Sequence, residues 1–479
     1  MLPIVASIPR DFKMTDNIKL TNLVDKSNGG ARGDVESNDS RMTSPSKQPL
    51  DDSTPYDPHK HRVLEHATTN NETLIHLLKG SLGTGILAMP NAFVNSGLVI
   101  GTVGTILIGI LCTYCLHVLV RSQYELCKKK RVPILNYPDS MRVALQQGPP
   151  CLRFAANASA IIVDMFLIVY QLGICCVYIM FVATNIKPVT DAYIAVMDVR
   201  IVMVLLLLPL IGINSIRNLK LLAPFSQLAN VITFIGLGIT MYYICQALPP
   251  VSSRPYFGDP RNWNLFIGTT LFALEAVGVV IALENNMKTP ASFGGYYGVL
   301  NQGMFAIVIM YVIMGFLGYV KYGSAAQGSV TLNLPKEDIL AQSVNAIFAV
   351  AIFISYGLQC YVPVEIIWSR YLKQHLENAT PGKKLLVEYI MRVSVVLVTF
   401  VLAVLVPRLE LFISLFGAFC LSALGIAFPG IIEMCVLWPD QFGPFKFILI
   451  RDILLIIGGI FALILGTFIS LQDIVRSFK

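Results

Sequence analysis

The stretch that decides the fold is KGSLGTGILAMP, Lys79 to Pro90, which lies in the first long apolar segment of the chain. Three of its first seven residues are glycine: Gly80, Gly83 and Gly85. Glycine in a helix interior costs about 1 kcal/mol relative to alanine, so a continuous helix is disfavoured here. Non-helical backbone at membrane depth persists only where it is buried in protein or lines a cavity. The stretch therefore predicts either a broken helix at a binding site or a glycine-rich packing face against a neighbouring helix.

The composition indicates an integral membrane protein. The chain has 479 residues, of which 55% are hydrophobic and only 14% are charged, whereas a soluble domain carries roughly 25% charged residues. Its mean hydropathy is +0.65. Apolar runs long enough to cross a bilayer predict eleven transmembrane helices. They lie near residues 74–94, 97–120, 154–185, 201–215, 222–245, 264–284, 296–320, 340–369, 388–406, 410–437 and 446–470.

The N-terminal region differs from the rest because it is polar and rich in serine, aspartate, asparagine, lysine and proline. We expect residues 1–64 to be a disordered cytosolic tail and residues 65–479 to be the membrane domain, with its first and sixth spans broken. The loops on the predicted inner side carry more lysine and arginine than the outer loops, including the run Lys128–Arg131, which places the N-terminus in the cytosol. The net charge of +7 follows from this topology and gives no argument for nucleic-acid binding.

The sixth span, Asn264–Met287, contains a second candidate break. Glu275 and Glu284 interrupt an otherwise apolar run, and Gly278 lies between them. A carboxylate at the bilayer centre costs about 2.5–3.5 kcal/mol on insertion scales and is by default a functional-site hypothesis. The alternative is a glutamate paired with a basic residue or with the backbone amides of a break. Glu284 lies near the inner end and is expected at the interface.

The two interruptions are five spans apart, which is the sequence signal of a transporter built from inverted repeats. Backbone amides freed at a half-helix N-terminus suit an anion such as a carboxylate, whereas freed carbonyls suit an ammonium. An amino acid zwitterion carries both charges, and the glycines favour a small side chain. The residues expected to bind it are Gly80, Ser81, Leu82, Gly83, Thr84 and Gly85 in the first span and Phe272, Ala273 and Leu274 in the sixth.

Four segments closely resemble the proton-coupled amino acid transporter (PAT) family of the amino acid/auxin permease superfamily. They are Thr73–Leu98, Val163–Asn185, Leu274–Lys288 and Leu358–Trp368. The resemblance covers nearly all of residues 65–470 in order. It implies an all-α membrane protein with eleven transmembrane helices, a LeuT-type 5+5 inverted repeat plus one extra helix. It also implies proton-coupled symport of small neutral amino acids such as glycine, alanine and proline, at the plasma membrane or at the late endosome and lysosome.

The resemblance also indicates residues for proton coupling. The family's first-span histidine falls on His76, one helical turn before the break, and histidine titrates near physiological pH; the alternative is a histidine hydrogen-bonded at the inner interface. The family's sixth-span glutamate falls on Glu275. In the eighth span, Glu365 either carries the coupling ion or pairs with a neighbouring helix. The sequence departs from the family at Leu274, where a phenylalanine is expected, and this puts the pocket shape in question.

Two residues of the third span complete the set. Tyr170 is expected either to cap the substrate or to pack in the core, and Asp164 is expected to be paired within the bundle. No P-loop, G-x-S-x-G element or His/Cys metal pair is found, so neither an enzyme nor a cofactor or metal site is predicted. Two further hypotheses stay open. One is an amino acid sensor that signals to a cytosolic partner through the tail; the other is sodium coupling on the same fold.

Overall fold

The computed structural model describes residues 56–62, 64, 67–217, 219–274, 276–406 and 408–478. Most of the predicted tail and the candidate residue Glu275 therefore lie outside the described residues. Throughout the described ranges the secondary structure is helical, with no strand. The main helices are α1 (Asn70–Ser81), α2 (Thr84–Ser96), α3 (Leu98–Lys130), α4 (Tyr137–Gln147), α5 (Ala156–Tyr193), α6 (Val199–Asn214), α7 (Leu219–Cys245), α8 (Trp263–Leu274), α9 (Val277–Asn285), α10 (Val299–Tyr322), α11 (Ile339–Ile366), α12 (Pro381–Leu405), α13 (Leu409–Phe416), α14 (Phe428–Val436) and α15 (Phe447–Arg476).

Within these ranges nine helical segments are long and apolar enough to cross a membrane. The first predicted span is not among them because its break divides it into α1, with 12 residues, and α2, with 13. The fourth is not among them because α6 has only 16 residues. The all-helical membrane architecture is thus confirmed, whereas helix length alone gives nine spans rather than the predicted eleven.

Helix α1 begins and ends where its sequence allows. Thr69 and Glu72 form a reciprocal capping box, in which the Thr69 amide donates to Glu72 Oε2 at 2.8 Å and satisfies orphan donors of the first turn. The helix ends at Ser81 because Leu82 leaves the helical region, with φ −82° and ψ 75°. Only Leu82 and Gly83 separate α1 from α2. The predicted break therefore exists and is two residues long.

The broken helices lie at the centre of the bundle, and α15 lies at its edge. Ten of the 13 residues of α2 are buried, but only five of the 30 residues of α15. Helix α2 packs against α8 and α10, while α11 packs against α5 and α7.

A π-helical segment, Gly417–Ala427, joins α13 to α14 and packs against α8. A Cβ atom built on Gly417 would lie 1.9 Å from the Gly268 carbonyl oxygen, and one built on Gly268 would lie 2.5 Å from the Ser414 carbonyl oxygen. The two backbones are therefore in direct contact, which only glycine permits. π-Helical turns occur frequently at functional sites, and this one fixes the half-helix α8 that ends at the second break.

Candidate functional site

The first break offers backbone amides at the start of α2. The Leu82 amide donates to the Leu78 carbonyl and the Gly83 amide to the Ser81 carbonyl, both at 3.0 Å. These two amides, which the sequence had indicated as carboxylate donors, are therefore already used. Gly83, which precedes α2, supplies no side-chain cap, and the first amides of a helix have no intrahelical acceptor. The positive end of the break thus begins at Thr84 rather than at Ser81.

The second break offers carbonyl groups at the end of α8. Phe272, Ala273 and Leu274 are the last three residues of this helix, and all three are buried. The last carbonyls of a helix have no intrahelical donor and carry a negative partial charge. Ala276 has non-helical backbone angles, φ −137° and ψ 9°, and α9 begins at Val277.

The two breaks lie directly against each other. A Cβ atom built on Gly85 would lie 2.7 Å from Ala273 Cα, so α2 contacts α8 without space for a side chain. A Cβ atom on Gly80 would lie 2.9 Å from Val279 Cγ1, so α1 contacts α9 in the same way. The structure therefore brings together the substrate residues predicted in the first and sixth spans.

The glycines of the first break have different surroundings. Gly80 and Gly85 are packing glycines, whereas among the described residues a Cβ on Gly83 would meet only the Tyr178 hydroxyl, at 3.7 Å. The packing interpretation is thus confirmed for Gly80 and Gly85. The binding-site interpretation stays a prediction, with Gly83 as its candidate.

Two tyrosines of the site were not singled out from the sequence. Tyr311 of α10 donates a 2.6 Å hydrogen bond to the Ser81 carbonyl, while the buried Ser81 hydroxyl has no hydrogen-bond partner among the described residues. Tyr178 of α5 points its hydroxyl at Gly83 and is hydrogen-bonded with Gln359 of α11. The signal for Tyr178 was its place on α5, about two helical turns after the chosen Tyr170.

Tyr170 contacts the second break rather than the first. Its ring packs edge to face on Phe272, with ring centroids 6.4 Å apart. A small void lies on the far side of the same break, lined by Leu271, Leu274 and Ala276 with residues of α3 and the π-helical segment. The volume of this void that is open to the centre of a water-sized sphere is about 10 Å³, which is room for about one water molecule. This void does not hold an amino acid.

The predicted proton-coupling residues are not gathered at one place. His76 precedes Leu82 by six residues, about 9 Å along the helix axis, and its buried Nδ1 atom has no hydrogen-bond partner among the described residues. Glu365 is exposed and accepts hydrogen bonds from Tyr361, at 3.3 Å, and from Ser369 on the same helical run. The structure therefore leaves His76 near the first break and does not bring Glu365 to either break.

An ion pair between Arg62 and Glu284, which we call the inner latch, joins the residues before α1 to the end of α9. Arg62 forms a two-pronged ion pair with Glu284, with N–O distances of 3.0 and 3.2 Å. The side chains of Arg62 and Glu284 are only 4% and 9% exposed. Arg62 also donates to the Glu284 and Pro133 carbonyls, and the Lys288 amide donates to the Thr68 carbonyl at 2.9 Å. The end of the predicted tail therefore packs on the membrane domain, and Glu284 is a buried, paired carboxylate.

Asp164 is paired, as predicted. It accepts hydrogen bonds from Arg370, at 2.8 Å, and from the Tyr371 hydroxyl, at 3.1 Å. Across the described part of the chain, no group of three or more His, Cys, Asp or Glu side chains is placed to hold a metal ion.

A family model described as transmembrane amino acid transporter protein matches residues 66–472. The chain belongs to this family. It is 42% identical to the proton-coupled amino acid transporter-like protein pathetic of Drosophila melanogaster, over 88% of this chain and 89% of that protein. It is 26% identical to the probable amino acid transporter skat-1 of Caenorhabditis elegans, over 86% of this chain and 91% of that protein.

Family membership confirms the resemblance stated from the sequence and makes the chain a multi-pass membrane protein that transports amino acids. The family and these relatives are transporters rather than enzymes. An amino acid carries one positive and one negative group, and the two facing breaks place helix ends of opposite partial charge beside each other.

Proposed function

We propose that the protein is a secondary active transporter that moves small neutral amino acids, of the glycine, alanine and proline type, together with protons by alternating access. The observation that carries the proposal is the contact of the two breaks at Gly85 and Ala273. It sets the positive end of α2 beside the negative end of α8. A zwitterion placed between them meets an opposite charge at each end.

The substrate is proposed to bind in one orientation. Its carboxylate accepts hydrogen bonds from the first amides of α2, beginning at Thr84, with the unpartnered Ser81 hydroxyl beside them. Its ammonium donates to the last carbonyls of α8, from Phe272 to Leu274. Its side chain lies toward Gly83, where the Tyr178 hydroxyl limits the space. This arrangement favours small side chains because one methylene in a fitted pocket changes selectivity by about 10–200-fold.

The proposed architecture is the eleven-span LeuT-type fold. Helices α1 and α2 together form the first, broken span, and α6 forms a short fourth span of about 24 Å. The first to fifth and the sixth to tenth spans then form two inverted repeats, each starting with a broken helix. Helix α15 is the extra span. The basic run Lys128–Arg131 at the end of α3 supports a cytosolic N-terminus. The membrane is proposed to be the plasma membrane or that of the late endosome or lysosome.

Proton coupling is proposed because one relative, which this chain matches over 89% of the relative's length, is named a proton-coupled amino acid transporter-like protein. His76 on α1, near the first break, is one group that we propose to exchange the coupling proton. Sodium coupling on the same fold is the alternative.

One experiment separates these possibilities. The full chain is reconstituted in liposomes, and uptake of labelled alanine or glycine is measured with a pH gradient, with a sodium gradient and with choline in place of sodium. Proton coupling predicts accumulation that needs the pH gradient and persists in choline. Accumulation that requires the sodium gradient would show that sodium is the coupling ion. Transport that neither gradient affects would contradict active transport.

A second role as an amino acid sensor is favoured by the inner latch. The tail joins the membrane domain at Arg62, which is bound to the end of the broken sixth span, so the position of that span is linked mechanically to the tail. Deleting residues 1–55 leaves the latch in place. Loss of amino acid signalling with unchanged flux would support the sensor, whereas unchanged signalling and flux would remove the tail from both roles.

A further inference from the structure

Two buried carboxyl groups share one arginine where α14 and α15 pack on α3. Asp452 of α15 is fully buried and Glu433 of α14 is 6% exposed. Arg451 donates to Asp452 Oδ1 from Nε, at 3.1 Å, and from Nη2, at 2.7 Å, and its Nη2 also donates to Glu433 Oε2. The guanidinium group stacks over the Tyr114 ring at 5.1 Å from its centroid. We call these four residues the carboxyl cluster.

The charges of the carboxyl cluster do not balance when both acids are ionised. One guanidinium faces two carboxylates, and the other titratable groups beside them, Tyr114 and Cys115 of α3, contribute no positive charge. An excess negative charge in a buried site is costly, and a carboxyl group there takes up a proton instead. The composition of the cluster therefore calls for one proton.

One carboxyl oxygen of the cluster has room in its hydrogen bonding for that proton. Asp452 Oδ2 is buried and receives no hydrogen bond from any donor in the described ranges. Arg451 Nη2 donates to both carboxyl groups, so one guanidinium group holds the two acids side by side. Two ionised carboxylates held in this way repel each other, and one proton on the pair removes this repulsion. The unpartnered oxygen and the missing charge are thus explained by the same proton.

Helix α3 contacts both the carboxyl cluster and the second break. Its Tyr114 belongs to the cluster, and its Cys112 and Leu116 line the small void beside that break. Leu274 and Ala276, on either side of the break, line the same void. The void has room for about one water molecule. A movement of α3 against α8 would therefore displace both the cluster and the lining of the void.

We propose that Glu433 and Asp452 form a proton-binding site that carries the coupling proton during transport. This inference rests on the proposed proton-coupled function and adds a site separate from His76. One O–H bond forms when a proton enters from water, and the same bond breaks when that proton leaves on the other side of the membrane. No other bond changes.

The decisive variant is Asp452→Asn in the full chain, reconstituted in liposomes with the membrane potential held at zero. An amide resembles the protonated acid in shape but cannot release a proton. Exchange of labelled for unlabelled alanine at equal pH should therefore continue and lose its pH dependence. With one proton per amino acid, a gradient of about one pH unit supports about tenfold accumulation in the unaltered protein; Asp452→Asn should show none.

A matched control is Glu388→Gln. Glu388 is also buried, but it binds two guanidinium groups, with Arg217 at 2.7 Å and Arg392 at 3.1 Å, so its charge is compensated without a proton. This variant should keep the accumulation ratio of the unaltered protein. Glu433→Gln should lose accumulation and keep exchange, as Asp452→Asn does.

The outcomes separate the two proposals. If the unaltered protein accumulates no alanine under the pH gradient, the proposed function fails. If it does accumulate and Asp452→Asn accumulates equally, with an unchanged pH profile, the carboxyl cluster is not the proton site. Loss of exchange in both Asp452→Asn and Glu433→Gln would also overturn the inference, because it would show that the cluster is a structural ion pair.

Discussion

At the scale of single residues, the site depends on which glycine can accept a side chain. Gly85→Ala would place a methyl group 2.7 Å from Ala273 Cα, a backbone atom that cannot turn away. Overpacking of this kind costs about 1–3 kcal/mol. We therefore expect Gly85→Ala to lower the thermal stability of the purified protein and its alanine uptake together. An unchanged melting temperature would show that α2 and α8 are not in contact.

Tyr311→Phe tests the support of the first break. It removes the 2.6 Å hydrogen bond to the Ser81 carbonyl while keeping the ring in its buried place. A hydrogen bond of this kind contributes about 0.5–1.5 kcal/mol. We expect alanine affinity, measured by equilibrium binding, to fall by about 2–10-fold because the end of α1 loses its anchor. Unchanged affinity would remove Tyr311 from the site.

At the scale of the elements, the inner latch joins the residues before α1 to the end of α9. Arg62→Ala leaves the buried Glu284 with only the His59 ring among the described residues, whose Nε2 lies 3.4 Å from Glu284 Oε1, and removing one partner of a buried ion pair costs about 3–5 kcal/mol. The contact between these two segments should therefore be lost more often. Cys127 of α3, which is buried beside this pair, should become reactive to a membrane-impermeant maleimide applied from the cytosolic side.

The control for the latch is the double change of Arg62→Met with Glu284→Gln, which removes both charges. Replacing both partners of a buried pair is often neutral for stability. We expect this pair of changes to preserve protein stability while Arg62→Ala alone reduces it. Equal Cys127 labelling in Arg62→Ala and the unaltered protein would contradict the role of the latch.

Helix α11 begins after Asp338, whose ionised form is stabilised by hydrogen bonds. The Tyr243 hydroxyl donates to Asp338, at 2.5 Å, and the Leu340 amide donates to the same carboxylate, at 3.0 Å; these bonds lower the pKa of Asp338 below its ordinary value of 3.8. A lowered pKa stabilises the folded state above the unfolded pKa, and this contribution is lost as pH falls through the folded pKa. The stability difference between the unaltered protein and Asp338→Asn should therefore stay constant from pH 7 to about pH 5 and vanish only below about pH 4. A difference that already vanishes at pH 5 would contradict this assignment.

At the scale of the whole molecule, the sequence predicted the all-helical membrane class, the family and the first broken helix. These features follow from composition, from the run of glycines and from motifs that extend along the chain. It did not predict which amides the break leaves free, because the hydrogen bonds of Leu82 and Gly83 depend on the local backbone path. Tyr178 and Tyr311 were missed because their apolar surroundings do not distinguish a site residue from a core residue.

Long-range pairing was the second limit of prediction. The Arg62–Glu284 pair joins the end of the predicted tail to α9, and the Arg451–Glu433 pair joins α15 to α14. Neither is marked by local periodicity, since each depends on how distant helices pack. Glu365 was expected either to carry the coupling ion or to pair with a neighbouring helix; within the described residues its exposed side chain bonds only to neighbours on its own helical run, and its coupling role stays a prediction.

The measurement that tests the central claim most directly is substrate selectivity in Gly83→Ala, with Gly278→Ala as the control. Among the residues that the structure describes, a methyl group on Gly83 would reach only the Tyr178 hydroxyl, at 3.7 Å, and one on Gly278 would meet nothing within 4 Å, so both variants should fold. If the first break holds the substrate, Gly83→Ala should lower alanine and proline uptake relative to glycine uptake by about 10-fold or more, and Gly278→Ala should leave the ratio unchanged. An unchanged ratio in Gly83→Ala, or an equal change in both variants, would contradict the account.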